Sequence, residues 1–340
     1  MAITAKELSA ILGLSEAAVS MALNNKPGVS TATRKRVVAE AEKRGYDFTK
    51  IKEAAESAPK SNGMIYFIIY RRHGAVVTDT PFFSQLSQGI DYGCKQKHYL
   101  LNVYYLYENQ EGGVEAQLKD LLRMNCKGII LLGTELREED FAPFEALPVP
   151  VVLLDNCFEK KTADCVLINN VQGAYLAADY LIRKCKAQPG YLRSSYPIHN
   201  FEERADGFYK AVRESGMSPS KSVVHRLSPS VEGAMADMRA LLEAGEETAR
   251  CYFADNDLIA CGAMKAFLEK GFRIPHDVAL IGFDDMPVCT FVEPALTTVN
   301  VPKQYMGEMA VNRLHELLTA GQSFPVKLEL ATHLVKRKSV

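Results

Sequence analysis

The 340-residue chain holds many side chains that could do chemistry, but few stand at the spacings that chemistry requires. It has no Gly-x-Ser-x-Gly elbow to expose a nucleophilic serine and no Gly-x-x-x-x-Gly-Lys-Ser/Thr loop to cradle phosphates. It has no Gly-x-Gly-x-x-Gly dinucleotide turn and no His-Glu-x-x-His zinc pair. The nearest approach to a catalytic or metal-holding group is His199 with Glu202 and Glu203, which reads as a loop histidine among acidic neighbours. The eight cysteines, at 94, 126, 157, 165, 185, 251, 261 and 289, form no Cys-x-x-Cys and no His/Cys cluster of metal-ligand spacing. They read as reduced thiols, and neither an enzyme, a cofactor nor a metal is expected.

The short polar residues near the N-terminus have a clearer task. Thr4 and Glu7 form a capping box, in which the hydroxyl accepts from the third helical N–H and the carboxylate reaches back. The helix 5–12 that follows carries Leu8, Ile11 and Leu12 on one face and stops at Gly13. Ser15 then caps a helix over 16–23 with Val19, Ala22 and Leu23 turned inward. After Asn24-Asn25-Lys26-Pro27-Gly28, Ser30 caps a third helix that ends at Gly45. Residues 1–46 are thus a small all-α unit, and the polar, aperiodic stretch 47–62 is a linker.

From residue 63 the pattern changes to alternation. Apolar runs at 64–70, 99–104, 128–132, 149–154, 166–168, 191–193, 223–227, 251–254 and 278–283 read as strands. Amphipathic stretches near 84–97, 113–125, 171–185, 202–215, 231–244 and 257–270 separate them. This is an α/β arrangement of parallel sheets covered on both faces, with too many strands for one sheet of ordinary size. Two lobes are expected, about 63–161 with 292–321 and about 162–291 with 322–340. Composition agrees with a soluble globular protein: 47% of residues are hydrophobic and 24% charged, for a net charge of −1. Residues 1–60 hold ten Lys and Arg against seven Asp and Glu, so the remainder carries about −4. No apolar run of membrane-spanning length and no basic, then apolar leader is present, so a cytoplasmic protein with no membrane partner is expected.

The segments Thr4–Ser15, Ala18-Val19-Ser20, Asn24-Asn25, Val29-Ser30, Thr33-Arg34, Val37 and Gly45-Tyr46 resemble the headpiece of LacI/GalR-type regulators. So do Pro81–Ile90, Glu203–Phe208, Asn256–Met264, Ile281–Asp285 and Pro294–Thr298, in the order that family has them. The resemblance spans nearly the whole chain. It implies a helix-turn-helix headpiece (1–46), a hinge (47–62) and an effector-binding and dimerisation domain (63–340) like a type I periplasmic binding protein, with crossings between lobes near 160, 290 and 322. The implied function is sequence-specific repression by a homodimer on double-stranded operator DNA, controlled by a small sugar-like effector in the inter-lobe cleft. A tetramer is not expected, since no heptad tail follows Leu334.

By position in that motif, Glu16, Ala17 and Met21 face base edges, with Glu16 able to accept from cytosine N4 and the other two offering apolar contact only. Ser15, Ser20, Asn24, Asn25, Ser30, Thr33 and Arg34 are the phosphate candidates. For the small residues helix capping alone explains the sequence equally well, Ser15 and Ser30 could both cap and contact phosphate, and Lys35 and Arg36 read as solvated charge. The hinge departs from the family, with Ala55 where a leucine usually wedges into the minor groove, so weak operator bending is expected.

The effector positions implied by the resemblance are Phe82 and Phe83, Asp155, Asn200, Arg204, Asp257 and Asp284. One of the two phenylalanines is expected in the core and the other against the ligand, and Arg204 is expected to clamp vicinal oxygens unless it pairs with Glu202 or Asp206. Arg71-Arg72-His73 reads either as a solvated loop or as a positive lip that would admit an anionic effector, and Ile198 stands where a polar contact is common. Alternatives are an anionic or nucleobase corepressor, a stand-alone sugar-binding protein, or an enzyme.

Overall fold

A computed structural model describes residues 3–24, 29–48, 61–77, 80–108, 113–122, 126–320 and 324–340, and the chain divides into two compact units, Met1–Ser61 and Asn62–Val340. In the first unit, helix α1 (Ala5–Leu12) starts from the expected capping box: Glu7 N donates to the Thr4 hydroxyl, and Thr4 N donates to Glu7 Oε2 at 2.8 Å. Gly13, at φ 66°, ends it in the left-handed region that a residue without Cβ adopts freely. Helices α2 (Glu16–Leu23) and α3 (Thr31–Lys43) start at Ser15 and Ser30, whose hydroxyls accept from Ala18 N and Thr33 N. Leu8, Val19, Ala22, Leu23, Val37 and Ala41 make the buried core. Ile11 does not join it and is 45% exposed, because α1 packs along the line of Ala5, Leu8 and Leu12. Arg36, expected to be solvated, donates to the Leu12 carbonyl at 2.6 Å and so closes the C-terminus of α1.

The second unit contains two parallel sheets. The larger has the order β11-β5-β4-β3-β1-β2, with β1 Met64–Arg71, β2 Leu100–Tyr107, β3 Cys126–Leu132, β4 Val151–Leu154, β5 Asp164–Ile168 and β11 Lys327–Leu330. The smaller has the order β7-β6-β8-β9, formed by β6 Gly190–Ser194, β7 Val224–Leu227, β8 Cys251–Ala254 and β9 Ala279–Ile281. Ile65 to Tyr70 are all buried, which is why β1 reads as a continuous apolar run. An antiparallel pair, β10 (Thr298–Asn300) with β12 (His333–Val335), lies where the chain passes between lobes.

Helix α4 (Pro81–Gln96) packs on α12 (Lys303–Thr319), α7 (Asn170–Cys185) on α8 (His199–Glu214), and α9 (Val231–Glu243) on α10 (Asp257–Glu269). Each crossing is closed by glycine. A Cβ on Gly89 would stand 1.9 Å from the Gln304 carbonyl oxygen, and one on Gly207 would stand 2.2 Å from that of Val171. Helix α5 (Gly113–Leu122) and the short α6 (Ala142–Glu145) and α11 (Val288–Phe291) complete the described α-helices.

The lobe boundaries differ from the expected ones. Strand β5 pairs with β4 and β11 pairs with β5, so 164–168 and 327–330 belong to the larger sheet. Two passages between lobes therefore fall near 169 and near 331 rather than at 160 and 322, while the third lies between β9 and α12, the interval that contains the expected 290. Buried ion pairing accounts for this: Asp164 on β5 accepts from Arg313 Nε of α12 at 2.7 Å and from Val326 N at 2.9 Å, tying both strands to the first lobe.

Candidate functional site

The larger lobe presents the C-terminal ends of β3 and β4 to the cleft, and the smaller lobe those of β6, β8 and β9 with the start of α8. A cleft of about 440 Å³ opens there, lined by Phe82, Phe83, Thr134, Asp155, Asn200 and Arg204 among others. Asp155 follows β4 in a left-handed conformation, φ 64°, that aims its carboxylate across the cleft. Its oxygens accept from the Thr134 hydroxyl at 2.6 Å and from Asn200 Nδ2 at 2.9 Å, the latter a hydrogen bond from one lobe to the other. Burial pushes the Asp155 carboxyl up to about 6, against the lowering effects of Thr134, the Arg204 charge and Asn200.

Arg204, on the face of α8 that carries Asn200 one turn earlier, is 3% exposed. Its Nε donates to Asn170 Oδ1 at 2.9 Å, Nη1 to the Asp255 carbonyl at 2.5 Å, and Nη2 to Asp284 Oδ1 at 3.2 Å. The guanidinium lies 3.8 Å from the centroid of Phe283, a cation–π contact. Its partner carboxylate is therefore Asp284, not Glu202 or Asp206; Glu202 pairs with Arg193.

Asp284 and Asp285 stand at φ 110° and 55°, two successive left-handed residues without glycine. Such a conformation persists only where its surroundings over-determine it. Here Arg337 and Asn300 donate to the Asp285 carboxylate at 2.6 and 2.9 Å, and buried Lys303 donates to the Asp284 carbonyl. Lys303, Thr134, Phe201, Asn256, Leu258 and Met286 were not anticipated from sequence. The first is the N-terminal residue of α12, whose buried face mixes Lys303 and Arg313 with apolar residues.

Phe82 and Phe83 both line the cleft, edge to face at 5.0 Å, so the expected division between core and ligand does not hold. Ile198 lines it too, as expected. Two expected residues do not. Asp257 is fully buried; its carboxylate accepts from Met286 N at 2.8 Å and the Thr298 hydroxyl at 2.5 Å, which ties α10 to the turn after β9. Burial, with the neighbouring Asp284, pushes it up to about 7. Arg71 turns away from the cleft and stacks over Tyr105, 4.7 Å from its centroid.

The positive lip is neutralised. Arg72 pairs with Asp140 and with Glu108 at 3.2 Å, and His73 Nδ1 lies 3.4 Å from Glu135. Glu135 itself, a buried carboxylate, accepts from the backbone N–H groups of Arg72, His73, Gly74, Val76 and Val77 at 2.9 to 3.2 Å. Those hydrogen bonds hold it below the usual carboxylate range despite burial. One acidic side chain thus organises the loop after β1 and places Val76 in the cleft wall.

In the first unit, Ser15, Glu16, Ala17, Ser20 and Asn24 are exposed, and Met21 is half-buried. Glu16, Ala17, Ser20, Met21 and Asn24 lie along one side of α2, opposite Val19, Ala22 and Leu23. Asn24 Nδ2 donates to the Ser20 carbonyl at 2.8 Å, and the hydroxyls of Ser30 and Thr33 share a hydrogen bond of 2.8 Å. Arg34 is half-buried. Asn25 and the hinge residue Ala55 lie outside the described residues. Among the described residues, no helix is long and apolar enough to cross a membrane.

Residues 178–340 match the family model of a periplasmic binding protein-like domain. The HTH-type transcriptional regulator GalS of Salmonella typhimurium (strain LT2) is 30% identical over 99% of this chain and 96% of its own length. The solved transcriptional regulator CelR–cellobiose complex is similar in fold, with a TM-score of 0.72 at 24% identity over 99% of this chain and 100% of that one. The Lac repressor dimer bound to operator and the anti-inducer ONPF is likewise similar, with a TM-score of 0.71 at 22% identity over 100% of this chain and 99% of that one.

Proposed function

Since the chain belongs to the LacI/GalR family of transcriptional regulators, we propose that it binds operator DNA as a homodimer and that a neutral sugar or sugar derivative in the cleft sets its operator affinity. The observation that carries the effector reading is the cross-lobe cluster Asp155–Asn200–Arg204–Asp284. It offers a guanidinium fork, an amide and two carboxylates around a cleft with an aromatic wall. Such a set forms paired hydrogen bonds to vicinal hydroxyls and packs against a ring face. With Arg71, Arg72 and His73 all engaged elsewhere, the cleft lining has one guanidinium against two carboxylates. That balance disfavours an anionic effector and supports a neutral polyol, in keeping with the cellobiose of the CelR complex. A ligand that bridges Asp155 and Arg204 would hold the lobes together, and differential affinity for closed and open forms is what couples it to DNA binding.

The headpiece reading rests on α2, whose exposed side carries Glu16 and Ala17 in its first turn and Ser20 one turn later. Base contacts are assigned to Glu16, Ala17 and Met21, and phosphate contacts to Ser15, Ser20, Asn24, Asn25, Ser30, Thr33 and Arg34. Homodimerisation is supported by an apolar row on the edge strand β2, where Val103, Tyr105 and Tyr107 are more than 40% exposed, with Tyr92 of α4 53% exposed beside them. The test is selection of duplexes from a randomised pool by the full chain. A two-half-site sequence should be enriched, and saturation with a sugar that stabilises the protein should change its affinity at least about ten-fold, roughly 1.4 kcal/mol. Enrichment of no sequence, or an affinity indifferent to every stabilising sugar, would contradict the reading.

A further inference from the structure

Beside the effector cleft lies a second groove of about 1210 Å³, whose wall includes Leu136, Cys157, Phe158, Tyr196, Ile198 and His199. Cys157 closely follows β4, and its neighbour Asn156 is pinned by donating to the Gly133 and Leu136 carbonyls at 2.7 and 2.8 Å. His199, expected in a loop, is the first residue of the sixteen-residue helix α8 in the other lobe. The Cys157 sulfur and His199 Nε2 meet across the seam at 3.8 Å.

The same Nε2 lies 3.4 Å from Glu203 Oε1, one turn along α8, and Glu203 Oε2 accepts from Asn170 Nδ2 at 2.8 Å. Asn170 in turn holds Arg204, so the group is wired to the effector cluster. The imidazole is pushed up to about 10, by the Cys157 contact first and Glu203 second, and it carries its proton at neutral pH. Lys327 of β11 is a second cation near the sulfur. Cationic neighbours and a helix N-terminus are the surroundings in which cysteines act as nucleophiles. One nitrogen facing both sulfur and carboxylate differs from an acyl-transfer triad, whose base uses both ring nitrogens. The arrangement fits a site that is modified rather than one that turns over.

We propose that Cys157, with His199 and Glu203, is a covalent modification site for small electrophiles bearing a carbon–carbon double bond conjugated to a carbonyl, which enter through this groove. The sulfur adds to the β-carbon and forms a C–S bond. The thiol gives up its proton to water, the π electrons move to the α-carbon, and that carbon takes up the proton that the His199 imidazolium donates from Nε2; water then returns a proton to the imidazole. The addition is complete in itself and needs no oxidant. Because the sulfur sits at a 3.8 Å contact between lobes, an adduct occupies the seam and opposes closure.

Of the eight cysteines only Cys157 and Cys185 are not buried, so Cys185 serves as an internal standard. The full chain is treated with N-ethylmaleimide at pH 7 and the rate at each cysteine is read by peptide mass spectrometry. Cys157 is expected to be labelled, His199→Gln to slow it at least about ten-fold with Cys185 unchanged, and Glu203→Gln to slow it less. Labelling should lower the melting temperature of the wild type but not of Cys157→Ser. If a histidine variant unfolds, Cys185 and the buried thiols accelerate together, and Glu203→Gln carries the test. A wild-type Cys157 that resists labelling, or a Cys157-to-Cys185 rate ratio unchanged in both variants, overturns the proposal.

Discussion

Arg204 concentrates the chemistry of the cleft in one side chain, and its value lies in geometry as well as charge. A lysine in its place keeps the charge but loses the planar fork and the stacking on Phe283. Arg204→Lys should therefore weaken effector binding by roughly 10- to 100-fold, the equivalent of one charge-assisted hydrogen bond of about 1.5–3 kcal/mol, with the fold retained; calorimetric titration checks this. Asp155 supplies a pH signature. Its carboxyl, at about 6, binds its proton more tightly in the folded chain than in the unfolded one, as do Asp255 at about 6 and Asp257 at about 7. Each contributes stability that is fully present below the unfolded carboxyl value, about 4, and is lost as pH rises through its folded value, so the melting temperature of the unliganded protein should fall between about pH 4 and pH 7. Asp155→Asn, a residue that also tolerates the left-handed backbone, should flatten part of that fall; an unchanged slope would assign it elsewhere. At this scale the sequence was legible where a motif fixed the residue, as at Asn200, Arg204 and Asp284. It was not legible for Asp257 and Arg71, whose side chains are turned by partners far away in sequence, Thr298 and Tyr105.

Among the elements, helix crossings rather than propensities decide the behaviour of the glycines. In an open helix, replacing Gly by Ala gains up to about 1 kcal/mol. At Gly89 the added Cβ meets the backbone of Gln304 at 1.9 Å, and at Gly307 it meets the Leu86 carbonyl oxygen at 2.4 Å, so α4 and α12 would have to separate. Gly89→Ala should thus destabilise by about 1–3 kcal/mol, seen as a lower urea midpoint with an unchanged slope; a raised midpoint would refute the close crossing. Most strands and helices were visible as alternation of short Val-, Ile- and Leu-rich runs with amphipathic segments. The lobe to which an edge strand belongs was not. Nothing in the local pattern of β5 or β11 says which sheet it joins, and the choice is made by Arg313 and Asp164, 149 residues apart. Helix α12 is not legible for a related reason: its buried face includes Lys303 and Arg313, charged residues that obscure the apolar period.

For the whole molecule, the family reading ties three separate features into one device: a headpiece side of α2, a β2 edge and a cleft. Val103→Asp on the exposed β2 face should convert the dimer to a monomer in sedimentation and weaken operator binding at least about ten-fold, because two reading helices must be presented one DNA turn apart. A Val103→Asp protein that remains dimeric would place the interface elsewhere. The helix caps and the order of motifs made the headpiece and the two-lobed sensor legible from the sequence, but not the β2 edge. The choice between a neutral and an anionic effector was not legible, because Arg72 and His73 are met by Asp140, Glu108 and Glu135, acids distant in sequence. Whether the cleft holds a neutral sugar is decided by thermal unfolding of the full chain with matched panels of neutral sugars and their phosphates. A neutral sugar at about 100 times its dissociation constant should stabilise the wild type by about 2.7 kcal/mol, and Arg204→Lys should lose most of that gain. Stabilisation by the phosphates alone, or equal stabilisation of Arg204→Lys, would contradict the account.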